Sequence, residues 1–241
     1  MKVNVVGTSC TWFKRKNTSF IIDDKIVFDT PSGAYKDIIM STDIENISTI
    51  IISHFHSDHF ADIHIFATKF MRELKDISKK KRIYAPKGVI NRIIDLNKVL
   101  CASEDELSAE CLQKNTDFIE IYDGFEFKIE NYKVTAYSVC HGDLDAYGFV
   151  FEDENKNCVG FSADTCMCES LHKILERSNY AFVEMAAIEK TNKHLTIFEV
   201  EELIKQYPNC KIYPVHTSDR TQKYAEDNNM NFLHDGQVLK F

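Results

Sequence analysis

The segment His54-Phe55-His56-Ser57-Asp58-His59 gathers three imidazoles and a carboxylate within six residues. Imidazole nitrogen and carboxylate oxygen are ordinary ligands of zinc and related divalent cations. The apolar, β-branched run Ile47–Ile52 just before it reads as a buried strand. Side chains repeat every two residues along an extended strand end, so His54 and His56 point the same way and can chelate one ion. Asp58 and His59 then fall on the first turn of the next helix, where they can face a second ion. A carboxylate there also sits against the positive end of the helix dipole. A solvated loop that happens to be rich in histidine is the plain alternative. It predicts no strand–turn–helix setting, so the metal reading outranks it.

Other elements must bring the remaining ligands to this segment. The stretches Lys2–Val6, Ser19–Ile22 and Ile26–Phe28 read as strands, the last two as a hairpin around Asp23-Asp24. Phe60, Ile63, Ala67, Phe70, Leu74 and Ile77 form one continuous helical stripe behind the motif. Ile83–Ala85 is a short strand, and Pro86 suits the first turn of a following helix. Ser103 and Glu106 have capping-box spacing, as do Thr196 and Glu199. Strands are expected at Phe118–Tyr122, Phe125–Glu130, Lys133–Val139, Gly148–Glu152, Cys158–Ser162, Tyr180–Glu184 and Lys211–Val215, with a last short one after the Asp235-Gly236 turn. Leu171, Ile174 and Leu175 mark a helix, and Ile197, Val200, Leu203 and Ile204 mark another that stops at Pro208. Strands come in two batches, each followed by helices. Two packed sheets with helices outside would bury all these faces.

With 241 residues and no Pro/Gly/Ser-rich linker, one domain over residues 1–241 is expected. Lys plus Arg number 29 against 37 Asp plus Glu, a net charge of −8. Such a chain lacks the broad positive field of a protein that wraps long nucleic acid. No signal peptide or bilayer-length apolar stretch is visible, which predicts a cytoplasmic protein with no membrane partner. The eight scattered cysteines then read as reduced, buried thiols.

The His-x-His-x-Asp-His motif after an apolar strand resembles the metallo-β-lactamase superfamily. The resemblance implies an α/β fold: a four-layer αββα sandwich of two mixed sheets flanked by helices. It also implies three further ligands at strand ends, and His141, Asp164 and His216 stand in that order. By similarity, His54, His56 and His141 hold one metal, Asp58, His59 and His216 hold the other, and Asp164 bridges them. Two divalent ions are implied, with zinc the default and manganese or iron admissible. Gly7-Thr8, Phe28-Asp29 and Asp235-Gly236 also look like family patterns. Homodimers are a family habit.

His194-Leu195-Thr196 is similar to the Gly-His-Ser-Thr motif of the superfamily's phosphodiesterase branch, which includes the ribonuclease Z-like tRNA-processing nucleases. There the histidine is not a ligand. It stabilises the transition state or protonates the leaving alkoxide. Glu184 matches that branch's Glu-Ala segment and would orient His194. A surface-loop histidine is the plain alternative. Asp58, His194 and Glu184 are thus the expected catalytic set. The expected activity is hydrolysis of a small or nucleotide phosphodiester by a metal-bridging hydroxide. Lys193 replaces the branch's Gly, and Asp29-Thr30-Pro31-Ser32-Gly33 departs from its Asp-Cys-Gly. The short span from His141 to Asp164 holds no candidate for the arm that grips tRNA, so intact tRNA is disfavoured as a substrate. The rival reading is a carbonyl-ester hydrolase of the same fold, a lactonase or thioesterase. Against the lactonase, Thr165-Cys166-Met167-Cys168 follows Asp164 without its typical Tyr. Cys140, Cys166 and Cys168 pack near the site with no role assigned. Trp12 and Phe13, with Lys14, Arg15 and Lys16, form an early loop that reads as a substrate lip or as a plain solvated loop.

Overall fold

A computed structural model describes residues 1–11, 13–73, 80–101 and 108–241. The strands are β1 (Lys2–Gly7), β2 (Ser19–Ile22), β3 (Ile26–Phe28), β4 (Thr49–Ile51), β5 (Lys81–Ala85), β6 (Thr116–Glu120), β7 (Glu126–Ile129), β8 (Tyr132–His141), β9 (Leu144–Glu152), β10 (Cys158–Phe161), β11 (Tyr180–Glu184), β12 (Lys211–Val215) and β13 (Val238–Lys240). The helices are α1 (Ala34–Ser41), α2 (Ser57–Phe60), α3 (Ile63–Glu73), α4 (Val89–Cys101), α5 (Ala109–Gln113), α6 (Glu169–Arg177), α7 (Ile197–Gln206) and α8 (Asp219–Asp227).

The strands form a seven-stranded sheet, β13-β1-β2-β3-β4-β5-β6, and a six-stranded sheet, β12-β11-β10-β9-β8-β7. Both are mixed. The β3–β6 and β10–β12 runs are parallel and the other pairs antiparallel. Alternation along the strands sends one face to each layer. Phe20 and Ile22 of β2 enter the core between the sheets, whereas Ile21 packs on the outer side with α1, α3, α4 and α5. On the second sheet, Phe161 and Phe182 point inward, and Ala181, Val183 and Ile212 meet α6, α7 and α8. The result is the expected αββα order. At its centre Phe28, Phe161 and Phe182 stack in series with centroid spacings of 4.9 and 4.9 Å, and Phe20 leans on Phe182 at 4.8 Å. Burying each such ring contributes about 1.5–3 kcal/mol.

The expected long helix is broken. Phe60, Ile63, Ala67 and Phe70 are buried as the stripe requires, but α2 and α3 are separate. Thr30, just past β3, donates its N–H to the His59 carbonyl at 2.7 Å and accepts from the Asp62 N–H at 2.8 Å. An unbroken helix would use both groups internally. Leu74 and Ile77 lie outside the described residues, as do Ser103 and Glu106. Pro86 precedes the helix it was expected to open, because Gly88, at φ 89°, holds a turn before Val89. Helices α1 and α8 were not anticipated. In α8 only Thr221 and Ala225 are buried, so no apolar stripe betrays it. The Asp23-Asp24 hairpin is as expected, with φ of 49° and 58° at the two turn residues, as a type I′ turn requires. Strands β8 and β9 run longer than anticipated and join through Gly142-Asp143 alone.

Candidate metal centre and active site

Every ligand candidate lies where a strand stops. His54 and His56 follow β4, and Asp58 and His59 occupy α2, directly behind it. His141 is the last residue of β8 itself. Asp164 follows β10 and His216 follows β12. His54, His56, His141 and Asp164 offer ligand atoms within 4.8 Å of one another, as do Asp58, His59 and His216. Asp164, His194 and His216 form a third such group.

Asp164 stands between the first two groups. Its Oδ2 lies 3.7 Å from His54 Nε2 and 3.9 Å from His141 Nε2. Its Oδ1 lies 3.3 Å from His59 Nε2 and 3.4 Å from His216 Nδ1. Ring nitrogens face each other at 3.1 Å between His141 and His56, and at 3.2 Å between His59 and His216. Two facing lone pairs repel unless a proton or cation lies between them. His54 Nε2, His216 Nδ1 and Asp164 Oδ1 are buried without a hydrogen-bond partner. Orphaned donor atoms converging on one place fit divalent cations, which would satisfy all of them.

The protonation tendencies agree. Burial holds His54 well below the usual histidine range and brings His141 down to about 4, so both favour the neutral, ligating form. Burial opposes ionisation of Asp58 and Asp164, yet the facing imidazoles outweigh it and both carboxylates stay ionised.

Behind this cluster is a buried support to which the sequence assigned no task. Asp29, at the end of β3, accepts from His59 Nδ1 at 2.7 Å, from the Ser53 N–H at 2.7 Å and from the Ser53 hydroxyl at 2.8 Å. The Ser53 hydroxyl in turn lies 3.0 Å from His54 Nδ1. One carboxylate thus orients an imidazole from each group. Phe28-Asp29 was legible only as a family pattern. Asp29, Ala163 and His216 adopt φ of 58°, 52° and 50°, a left-handed conformation uncommon for residues with a Cβ. The backbone accepts that cost at three strand ends around one site.

The loop after β1 closes the site from the other side. The Thr11 hydroxyl donates to Asp58 Oδ2. Arg15 does not form a substrate lip. Its guanidinium bonds Thr8 Oγ1 at 2.9 Å, the Thr217 carbonyl at 2.9 Å and Thr217 Oγ1 at 3.1 Å, which ties this loop to the residue after His216. Phe13 does line the cavity, and Trp12 lies outside the described residues.

His194 and Glu184 meet as expected. Glu184 is buried at the end of β11 and accepts from His194 Nδ1 at 3.0 Å, the Thr165 N–H at 3.0 Å and the Ala186 N–H at 3.0 Å. It therefore grips the loop that carries Asp164 as well as His194. Burial works against a charge on His194, but the Glu184 hydrogen bond and charge prevail and raise its pKa. The His194 ring stacks on His216 at 5.7 Å and lines a cavity of about 490 Å³ together with His56, Asp58, Asp164 and His216.

His64 and His172 are half-buried outside the cluster, His64 Nδ1 lying 2.8 Å from the Ala61 carbonyl and His172 Nδ1 2.7 Å from the Tyr207 hydroxyl. Seven described cysteines are free thiols. Cys158 and Cys210 are buried, but Cys111 and Cys140 are exposed, against expectation, because each faces outward from its element.

Two mixed sheets flanked by helices, with a His/Asp cluster at the strand ends, define a metallo-β-lactamase-fold protein. Residues 1–239 match the family described as anti-Pycsar protein Apyc1, and the chain belongs to that family. The metallo-β-lactamase-fold protein YhfI from Bacillus subtilis is similar in structure, with a TM-score of 0.74, 15% identity and coverage of 99% of this chain and 98% of that one. So is the short form of human tRNase Z, with a TM-score of 0.73, 17% identity and coverage of 100% and 99%. Ribonuclease Z of Archaeoglobus fulgidus is 25% identical over 146 residues, which span 58% of this chain and 44% of that protein.

Proposed function

We propose that the chain is a phosphodiesterase that uses two divalent metal ions, zinc by default, to hydrolyse a small or nucleotide phosphodiester. The observation that carries this reading is His194 on the cavity wall, held at 3.0 Å by the buried Glu184 behind it, with His194 Nδ1 4.0 Å from Asp164 Oδ2. His54, His56 and His141 would hold one ion, Asp58, His59 and His216 the other, and Asp164 both. Bound there, the ions would lower the pKa of water towards neutrality and offset the charge on phosphoryl oxygens.

The chain's own groups do the rest. Asp29 and Ser53 fix the imidazoles that must not rotate. Thr11 and His216 fix Asp58. Glu184 keeps a proton on His194, and His194 can pass it to the departing alkoxide, which is too basic to leave unaided. A thioester, whose thiolate is a much weaker base than an alkoxide, needs no such acid, which counts against that substrate. Kinship with ribonuclease Z, a nuclease by name, points the same way. The cavity, at about 490 Å³, suits a ligand of nucleotide size. Only short turns link β8, β9 and β10, so no arm for intact tRNA rises between His141 and Asp164.

Elemental analysis of the purified protein, beside hydrolysis of bis(p-nitrophenyl) phosphate, tests the proposal. Two metals per chain are expected, with turnover that His194→Ala lowers while keeping the metal, and lowers much more for a diester with an alkoxide leaving group than for this p-nitrophenyl one. Two metals with turnover of a thioester or lactone alone would move the activity to carbonyl esters. One metal or none after reconstitution would end the dinuclear mechanism.

A further inference from the structure

Lys193 immediately precedes His194 in the loop that enters α7. Lys193 lines the cavity beside His56, Asp58 and His194, and it is the only Lys or Arg among the cavity's described lining residues. Its backbone is pinned. Its N–H donates to Thr191 Oγ1 at 3.1 Å, and its carbonyl accepts from His141 Nδ1 at 2.8 Å. Thr191 Oγ1 also takes the His194 N–H at 2.8 Å, and the Asn192 carbonyl takes the Gly142 N–H at 3.0 Å. The 191–194 loop is therefore docked on the β8–β9 turn, and Lys193 leaves it in a set direction. Its aliphatic stem runs over Gly142, where an added Cβ would come within 3.0 Å of Lys193 Cε and 3.4 Å of Cγ. Burial is the main force holding His56 below the usual histidine range, and the nearby Lys193 charge acts in the same direction. Among the described residues no carboxylate pairs with it.

A cation that is pinned at its base, open at its tip and unpaired beside a metal centre is placed to meet an anion. We propose that Lys193 is a substrate-binding residue, its ammonium pairing with a non-bridging oxygen of the phosphodiester monoanion. The inference rests on the phosphodiesterase reading for its substrate class, but the anion contact can be measured without turnover. A neutral carbonyl ester offers no such oxygen, so Lys193 would also set the preference for phosphodiesters. Because the substrate and the transition state both carry the charge, the contact acts mainly on binding.

The metal-loaded protein, Lys193→Gln and Lys193→Arg are compared in calorimetric titration with dimethyl phosphate and in hydrolysis of bis(p-nitrophenyl) phosphate. For Lys193→Gln the dimethyl phosphate Kd and the KM should each rise about tenfold, with kcat within about threefold and metal content unchanged. Lys193→Arg should restore most of the affinity, and added salt should weaken binding to the wild type more than to Lys193→Gln. A stem that merely packs on Gly142 would produce neither the charge rescue nor the salt dependence. Equal Kd values for the wild type and Lys193→Gln would overturn the inference, as would a wild type that binds no dimethyl phosphate. Lysine-dependent binding of dimethyl phosphate without phosphodiester turnover would uphold the anion site and sink the phosphodiesterase reading alone.

Discussion

At the scale of single residues, the informative groups are those that hold other groups still. Glu184 raises the pKa of His194, so the imidazolium persists to higher pH than an ordinary histidine would. If His194 acts as the acid, the protonated form is the active one, and the rate falls as pH rises through its pKa. Glu184→Gln keeps the shape and removes the charge. Its pH–rate profile should lose the alkaline side first, with that limb moved to lower pH. An unmoved limb would show that His194 does not supply the proton. Asp29 carries a different prediction. It braces His59 directly and His54 through Ser53, so Asp29→Asn should weaken metal binding about 10–100-fold. Competition with a chelator of known affinity would measure this, and unchanged affinity would reduce Asp29 to a packing role.

At the scale of elements, the helix and strand ends transmit packing to the site. The Thr196 side chain and Glu199 form a complete capping box on α7, two residues beyond His194. Thr196→Ala should cost about 1 kcal/mol in urea unfolding and reduce turnover as the 191–194 loop loosens. Gly148 of β9 is another such point. A Cβ there would sit 2.6 Å from Ile174 Cδ1 and 2.8 Å from the carbonyls of Phe161 and Ser162, just before the Asp164 loop. Forcing a methyl group into that space should destabilise Gly148→Ala by about 1–3 kcal/mol, read as a lower midpoint in the same unfolding experiment. An unchanged midpoint would mean that α6 gives way freely.

At the scale of the molecule, the site and the core are one mechanical unit. The first group draws ligands from the ends of β4, β8 and β10, and the second from α2 and β12. Ions shared between the two sheets would add their binding energy to folding. Removing metal with a chelator should lower Tm, and restoring zinc or manganese should recover it. A Tm indifferent to the chelator would argue that the cluster binds no ion tightly.

The sequence by itself determined what depends on near neighbours. The His-x-His-x-Asp-His segment behind a β-branched run, the alternating strands and the Thr196–Glu199 cap were legible because strand and turn periodicities act over a few residues. Resemblance to a known family then supplied His141, Asp164, His216, Glu184 and His194. Nothing local distinguished them from loop residues. Only the tertiary structure decided what depends on distant contacts. It set Asp164 between two groups of imidazoles and turned Arg15 away from the cavity to Thr217, 202 residues away. It broke the striped helix by lending Thr30 to its open hydrogen bonds, and it made Asp29 the brace for His59. Each of these outcomes depends on groups far apart in the chain being brought within bonding distance, which no short-range pattern encodes.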